Sequence, residues 1–482
     1  MKEKKIIRSL QSLNVYDINS FIKYVRSPYF NVNSFIISYV ELLVTAIRDQ
    51  KTDILTNEEI WKHIFGKEAY VHQKLLKLNS DLVKLLEEFL GQKEYDQMVS
   101  LRTNLKLEGA RKRAIDHLYN GILAETIRLQ KLEMNQSSDY YLKKYEIEKN
   151  IFALKSENEK KNEKFEIEGE LNINRISDNL DYFYIAEKLK HFCTLLSWKK
   201  MYELDIEMRN MDYILRVASE EPFISIPAIN LYFRMYLTYV DSEKTENYFE
   251  LRKLIKKHIH MFPADEQREI YSTALSYCLD KTNKNVVEFY KETYEMYKEA
   301  LENSILVVNN SIMVTTYRNI VGIALRVEEF DWAENFIHEY AQFVDERYRE
   351  NAVQFSLARL AFYRKSYSTV LEHLFNVNYE DVWYNLNAKT LQIASYYELG
   401  ETDALESLLQ AFKMFVRREK SMSNLRKEHY MNLIKFTSQL IKILPRDTLK
   451  LQKLRDDIQN TKGVVSKPWL LEKVDEMLLK KR

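Results

Sequence analysis

Residues 317–340, with the sequence YRNIVGIALRVEEFDWAENFIHEY, decide the fold. Apolar residues in this stretch recur three or four positions apart on both sides of the polar pair Glu328 and Glu329. Side chains at that spacing lie on one face of an α-helix, so each half can bury an apolar stripe. The stretch therefore predicts two amphipathic helices joined by a short polar turn.

The same layout recurs twice further along the chain. The polar turn before Ala333 has counterparts before Val370 and Leu405, at spacings of 37 and 35 residues. Seven slots align in each hairpin, and 18 of these 21 slots are apolar. The slots are Tyr317, Ile320, Val321, Ala324, Ala333, Ile337 and Tyr340; Gln354, Leu357, Ala358, Ala361, Val370, Leu374 and Val377; and Lys389, Gln392, Ile393, Tyr396, Leu405, Leu409 and Phe412. A period of this length is typical of helical repeats.

This pattern resembles the tetratricopeptide (TPR) repeats, helical hairpins of about 34 residues with apolar residues at fixed slots. The resemblance implies a right-handed α-α solenoid. It covers about 110 residues, or about 300 if the hairpins between residues 176 and 302 join the same stack. Val321 stands where the family has glycine, and the proline that closes a repeat is absent at Asp345, Val382 and Arg417. We therefore describe the repeats as TPR-like.

Composition independently favours an all-α fold. The 482 residues include only 8 Gly and 6 Pro, whereas β-rich and α/β folds use these residues at most turns. The sequence predicts an N-terminal helical domain over residues 1–98, a long charged helical hairpin over 99–175, and the TPR-like solenoid over 176–482. A capping helix over residues 469–479 is expected to close the solenoid, because a repeat array needs a polar outer end.

Local signals place several elements in the N-terminal domain. Pro28 should end one helix, a second helix should span residues 34–49, and Thr56 or Asn57 should cap a third. Leucines from residue 75 to 90 then recur at helical spacing, with Gly91 as the expected end. The stretch SPYFN at residues 27–31, together with the repeats, also resembles an uncharacterised helical family of Bacteroidota, which implies no known activity.

Charge and cysteine content limit the classes of partner and compartment. The 72 basic and 71 acidic residues balance to a net charge of +1, so no global field attracts nucleic acid or an anionic membrane. We find no secretory signal and no apolar run long enough to span a bilayer. The only cysteines, Cys193 and Cys278, lie in helical patterns, and a reducing cytoplasm is the expected location.

The sequence offers no recognisable catalytic, cofactor-binding or metal-binding motif. His258 and His260 are two residues apart, which points the two imidazoles in different directions on a helix. The glycines are scattered singly, so no phosphate-binding loop or nucleophile elbow can be assembled. Cys193 is flanked by apolar residues and is interpreted as a core residue. We therefore predict that the protein is not an enzyme and needs no cofactor.

DNA binding is the alternative function. Residues 54–86 loosely resemble a winged helix-turn-helix, which would make the protein a TPR-containing transcriptional regulator. From residue 51 to 88, however, six lysines face seven acids, where a DNA-reading surface should be basic. Basic clusters at residues 111–113, 417–420 and 480–482 are typical of charged helix ends and tails. We do not expect nucleic-acid binding.

The leading hypothesis is a non-catalytic scaffold that binds a protein or peptide, with the partner, its binding residues and the oligomeric state left open. Tyrosines recur at helical spacing in two stripes, which are expected to be core unless one faces a ligand groove. The stripes contain Tyr232, Phe233, Tyr236 and Tyr239, and Tyr290, Tyr294 and Tyr297.

Overall fold

The computed structural model describes residues 2–51, 55–161, 172–202, 207–377 and 381–479. Within these ranges the regular secondary structure is helical, with two isolated β-bridges beside the helices, so the chain is all-α. The chain divides into two compact units, Met1–Lys188 and Leu189–Arg482. The finer division at residues 98 and 175 stays a prediction. No helix in the described ranges combines the length and apolar character that a bilayer crossing requires.

The first unit contains eight helices and the start of a ninth among its described residues. They are α1 (Lys2–Gln11), α2 (Val15–Arg26), α3 (Ser34–Arg48), α4 (Asn57–Phe65), α5 (His72–Gln97), α6 (Val99–Lys112), α7 (Asp116–Leu132), α8 (Ser138–Lys161) and α9 (Ile173–Tyr202), which continues into the second unit.

The second unit continues with fourteen further helices in the described ranges. They are α10 (Met211–Ala218), α11 (Pro227–Val240), α12 (Thr245–His258), α13 (Ala264–Asn283), α14 (Glu288–Glu302), α15 (Val314–Arg326), α16 (Phe330–Tyr340), α17 (Glu346–Tyr363), α18 (Tyr367–Phe375), α19 (Val382–Leu399), α20 (Thr402–Arg418), α21 (Asn424–Leu440), α22 (Thr448–Asn460) and α23 (Lys467–Leu479).

Helices α1 to α5 enclose one apolar core, and most of their predicted ends are confirmed. Helix α2 ends before Ser27 and Pro28, and α3 covers the predicted range. Thr56 caps α4 in a capping box: its hydroxyl accepts from the amide of Glu59 at 3.2 Å, and the Glu59 carboxylate accepts from the amide of Thr56 at 2.8 Å. The prediction that Gly91 ends a helix is wrong, because α5 continues to Gln97. A single glycine inside a helix costs only about 1 kcal/mol, which the burial of the helix outweighs.

In the predicted charged hairpin over residues 99–175, the first arm is two helices and not one long helix. The described part of this segment contains α6, α7 and α8, because the chain turns at residues 113–115. Ala114 adopts φ 51°, and the amides of Ala114 and Ile115 donate to the carbonyls of Arg111 (2.9 Å) and Ala110 (3.0 Å). These two bonds form a helix-ending motif that glycine usually supplies. With alanine there, the sequence carries no visible stop signal.

Some predicted features lie outside the described residues. They are residues 162–171 of the predicted charged hairpin and the basic cluster at residues 480–482.

Four helical hairpins of the second unit are closed by the same turn geometry. Asn285, Glu328, Lys365 and Gly400 follow α13, α15, α17 and α19, and each has positive φ. In the hairpin of α17 and α18, the amides of Lys365 and Ser366 donate to the carbonyls of Phe362 (3.0 Å) and Ala361 (2.9 Å). Only one of the four positions is glycine, although this conformation favours glycine. The four turns therefore share the same backbone conformation although the residue type at the positive-φ position differs.

The slots aligned in the sequence are the inward positions of α15 to α20. Fifteen of the 21 slot residues are buried and the other six are half-buried, so the chosen register places no slot on the surface. Each hairpin packs its two helices together, and α17 also contacts both α15 and α19. The predicted terminal helix is confirmed as α23, which buries Leu470 and Val474 in a core shared with α20 to α22.

A buried ionic network joins α12 to α13 and α14. Arg252, which is 6% exposed, donates through both terminal nitrogens to the Glu299 carboxylate (2.9 and 2.6 Å) and through Nε to Glu292 (2.9 Å). The hydroxyls of Tyr271 and Tyr248 donate to Glu299 (2.6 Å) and Glu292 (2.9 Å). Burial favours the neutral form of Glu299, but hydrogen bonds from Arg252 and Tyr271 outweigh it and lower its pKa.

Candidate functional site

The two cysteines are core residues, as predicted for Cys193. Both thiols are free and buried, and the Cys193 thiol donates to the carbonyl of Tyr232 at 3.4 Å. Burial raises the pKa of Cys193 well above its usual value and that of Cys278 to about 12. At neutral pH both groups are therefore protonated thiols, and the thiolate is the form that acts as a nucleophile.

His258 and His260 lie in different elements. His258 is the last residue of α12, and His260 lies in the following short 3-10 turn. Burial lowers the pKa of His258, helped by the charge of Lys257, so this imidazole is neutral at pH 7. Across the described ranges, no group of three or more His, Cys, Asp and Glu side chains is arranged to hold a metal ion.

The tyrosine stripes contribute mainly to the core. Tyr232, Tyr236, Tyr294 and Tyr297 are each at most 4% exposed. The remaining three aromatic residues of the stripes are half-buried, so neither stripe forms an exposed aromatic surface. The alternative in which one stripe lines a ligand groove therefore has little accessible surface to use.

The segment considered for DNA binding is a helical pair with one buried face. Helix α5 buries Leu75, Leu78, Leu82 and Phe89 in the core of the first unit. The helix continues without interruption past the position where a wing would start, and α6 begins two residues after it ends. The exposed side of α5 carries charges of both signs, as the sequence predicted.

The candidate site lies in the second unit, where α20, α21 and α22 form an open groove of ≈ 920 Å³. We call it the lysine groove. Leu409, Ile434 and Leu454, one from each helix, form its buried base. Met431, Ile441 and Ile443 also line the groove and remain partly exposed, which leaves apolar surface accessible to a ligand.

Five exposed lysines form the rim of this groove. They are Lys413, Lys435, Lys442, Lys450 and Lys453. Only two carboxylates, Glu406 and Asp457, line the same groove. Lys450 pairs with Asp447 at 2.7 Å, whereas the other four lysines make no ion pair with any described residue. The groove therefore combines partly exposed apolar side chains with a surplus of positive charge.

Helix geometry explains why this site was missed in the sequence. Lys413 follows Leu409 by four residues on α20, while Lys435 and Lys453 adjoin Ile434 and Leu454. These three lysines are therefore carried to the rim by neighbouring residues that are buried at the base. In the sequence the basic cluster at residues 417–420 stands out instead, since lysines spread over three helices and a turn have no local signature.

Comparison with known proteins gives no relative from which a function could be transferred. None of the protein-family models, curated proteins or solved structures compared with this chain matches it.

Proposed function

We propose that this chain is a non-catalytic scaffold that binds an acidic, amphipathic segment of a partner protein in the lysine groove. The observation that carries this proposal is the partly exposed apolar surface of Met431, Ile441 and Ile443 beneath a rim of five lysines, four of which make no ion pair with a described residue. An amphipathic helix can place its apolar residues on this surface while its acidic residues meet the lysines. Exposed apolar side chains favour a peptide over a nucleic-acid backbone, which is bound mainly through its charge.

We further propose that α15 to α20 are three TPR-like hairpins of a right-handed α-α solenoid. The positive-φ turns at Glu328, Lys365 and Gly400 support this, as does the packing of α17 against both α15 and α19. Stacked hairpins present successive helices along one surface, which suits recognition of an extended or helical segment. The lysine groove begins at α20, the second helix of the third hairpin.

Two further features support the non-catalytic assignment and a reducing, cytoplasmic location. Both cysteines are buried thiols, and neither is paired in a disulfide. Two buried charges are neutralised by ion pairs within the second unit: Glu266 pairs with Lys190 at 2.9 Å, and Arg252 pairs with Glu299. Charges used in this way stabilise packing and leave little for chemistry on a substrate.

Binding of a designed peptide to the full chain tests the proposal. The probe is a fluorescein-labelled peptide of roughly 16 residues, about four helical turns, with leucines at positions i, i+3, i+4 and i+7 and glutamates elsewhere. Fluorescence anisotropy should show saturable binding that weakens as NaCl rises, because salt screens exposed charges. A scrambled peptide of the same composition should bind at least about tenfold more weakly, since its apolar residues no longer share one face.

Charge reversal locates the site. Lys435→Glu should weaken binding of the designed peptide by about fivefold to tenfold, because it replaces an attractive charge with a repulsive one at the rim. Lys291→Glu is the matched control, because it makes the same change in net charge. Lys291 is exposed on α14 and does not line the groove. Equal affinities for the two variants would contradict the proposed site. Retention of duplex DNA that competes with the peptide at low salt would instead favour a nucleic-acid ligand.

A further inference from the structure

One lysine of the first unit lies against three aromatic rings at once. The Nζ atom of Lys74 is 4.1 Å from the ring centroid of Phe65, 5.6 Å from that of Trp61 and 5.7 Å from that of Phe35. The same atom lies 2.9 Å from a carboxylate oxygen of Glu68. Four groups that attract cations therefore surround a single ammonium. We call Phe35, Trp61, Phe65 and Glu68 the aromatic cage.

Helix geometry and packing build the aromatic cage. Trp61 and Phe65 are buried and lie four residues apart on α4, which places both rings on one helical face. Phe35 lies in the first turn of α3, which packs against α4, and its ring centroid is 4.9 Å from that of Phe65. The indole nitrogen of Trp61 donates to the backbone carbonyl of Glu68 at 2.8 Å, so the turn that carries the carboxylate is tied to the ring. None of these contacts involves Lys74.

The aromatic cage opens to solvent. Phe35 is 40% exposed, and so is Tyr70, whose ring meets the Trp61 ring edge-on. The side chains of Lys74 and Glu68 are 44% and 57% exposed. An exposed ion pair contributes little to stability, and a lysine ammonium is strongly hydrated, so Lys74 can leave the cage for water at a small cost in free energy.

A primary ammonium uses only part of what the aromatic cage offers. Its compact charge is matched by the Glu68 carboxylate, and its strong hydration opposes close contact with rings. N-methyl groups spread the positive charge over a larger and more weakly hydrated surface, which several rings can contact together. Three rings beside one carboxylate therefore favour an N-methylated ammonium over the primary ammonium of Lys74.

We propose that the aromatic cage binds an N-methylated ammonium group of a ligand and that Lys74 competes for the same place. The ligand's cation replaces the Lys74 ammonium between the rings, and Lys74 turns toward solvent. The methylated group can belong to a small quaternary cation or to a methylated lysine side chain. Only molecules with Lys74 displaced can bind, so Lys74 lowers the apparent affinity. The site belongs to the first unit and does not depend on the lysine-groove proposal.

Isothermal titration of the full chain with choline tests this inference. Lys74→Ala should bind choline at least about fivefold more tightly than the unsubstituted chain, because the competitor is gone. A neutral isostere of choline, in which carbon replaces the nitrogen, should bind Lys74→Ala at least about tenfold more weakly than choline does.

Lys93→Ala is the matched control for Lys74→Ala. Lys93 lies on the same helix, α5, and pairs with Asp17 at 3.1 Å, so this substitution also removes an ion-paired lysine. Lys93 is not part of the aromatic cage. Lys93→Ala should therefore bind choline with the affinity of the unsubstituted chain.

Two substitutions inside the aromatic cage, each added to Lys74→Ala, locate the bound cation. Phe35→Leu removes one ring and Glu68→Gln removes the carboxylate, and each should weaken choline binding by about threefold or more. Phe35 and Glu68 are both exposed, so these variants should stay folded, which circular dichroism verifies.

A second pair of probes identifies the source of the methylated group. They are trimethyl-lysine and unmodified lysine, each with its amino and carboxyl ends blocked. Tighter binding of blocked trimethyl-lysine than of choline would identify a methylated side chain as the ligand, and equal or weaker binding would identify a small quaternary cation. Blocked unmodified lysine should bind more weakly than its trimethylated form.

The opposite results would overturn the inference. Equal choline affinity in Lys74→Ala and Lys93→Ala, or no binding by either folded variant, would show that Lys74 does not occupy a ligand site. Equal affinity for choline and its neutral isostere would show that the site does not recognise charge. Full choline affinity after both Phe35→Leu and Glu68→Gln would place any bound choline elsewhere.

Discussion

Replacing Arg252 with alanine should destabilise the second unit strongly, because it removes the cation of a buried ionic network. The Glu292 and Glu299 side chains, which are 22% and 23% exposed, would keep their negative charges without a neutralising partner. Removing one partner of a buried ion pair typically costs about 3–5 kcal/mol. Two tyrosine hydroxyls would still donate to these carboxylates, so we expect a loss near the lower end, about 3 kcal/mol.

The loss should depend on pH in a defined direction. In the unsubstituted chain the pKa of Glu299 is lowered, so its contribution to stability is present above the ordinary glutamate pKa and is lost as pH falls through the lowered value. Without Arg252, burial should raise the pKa of Glu299, because the charged form has lost its partner. The difference in stability between the two proteins should therefore be largest near pH 7 and shrink as pH falls below about 4.3.

Urea unfolding followed by circular dichroism measures this effect at pH 7 and pH 4. Arg347→Ala is the control, because Arg347 pairs with Asp345 while its side chain stays 76% exposed. Exposed ion pairs contribute little, so this control should unfold at nearly the unsubstituted midpoint at both pH values. An Arg252→Ala variant that unfolds with the control, or a deficit that grows as pH falls, would refute the reasoning.

Three substitutions and one labelling reaction test other parts of the fold. Lys365→Gly should stabilise the chain by about 1 kcal/mol and Gly400→Ala should destabilise it similarly in urea unfolding, because both positions have positive φ. Asn31→Ala should cost about 1–3 kcal/mol in the same assay, since its buried amide bonds the carbonyls of Val25 and Asn33. Cys193 and Cys278 should resist an aromatic disulfide reagent at pH 8 and react in urea, as their buried thiols have raised pKa values.

The helical class and the inward faces of α15 to α20 could be predicted because they depend on local periodicity. Apolar spacing at three and four residues determines which side chains can share a helical face, and the slot residues are accordingly buried or half-buried. The helix cap at Thr56 and the helix end at Pro28 could also be predicted, since each is specified by residues within one helical turn.

Predictions failed where backbone conformation departed from residue preference. Gly91 has an ordinary helical neighbourhood and does not end α5, whereas Ala114 adopts positive φ and ends a helix without the usual glycine. Asn309 and Asn310 both have positive φ and close a minimal hairpin in which Val308 and Ser311 exchange two 2.9 Å backbone bonds. Such a turn is too short to stand out against helical composition.

The lysine groove could not be predicted because it depends on contacts between helices. Four of its lysines lie on α20, α21 and α22, and Lys442 lies in the turn after α21. Their proximity follows from tertiary packing, which one sequence does not display. That four of the five lysines make no ion pair with a described residue is likewise a property of the folded chain.

The most direct test of the central claim is a fluorescence reporter placed inside the lysine groove. Gln439 is exposed and lines the groove, so Gln439→Cys can be labelled selectively with an environment-sensitive dye while Cys193 and Cys278 stay buried. Lys291→Cys provides a labelled control on α14. Adding the acidic amphipathic peptide should give a saturable emission change at position 439 and none at 291. No change at 439 at concentrations that saturate the anisotropy signal would contradict the claim that the groove is the binding site.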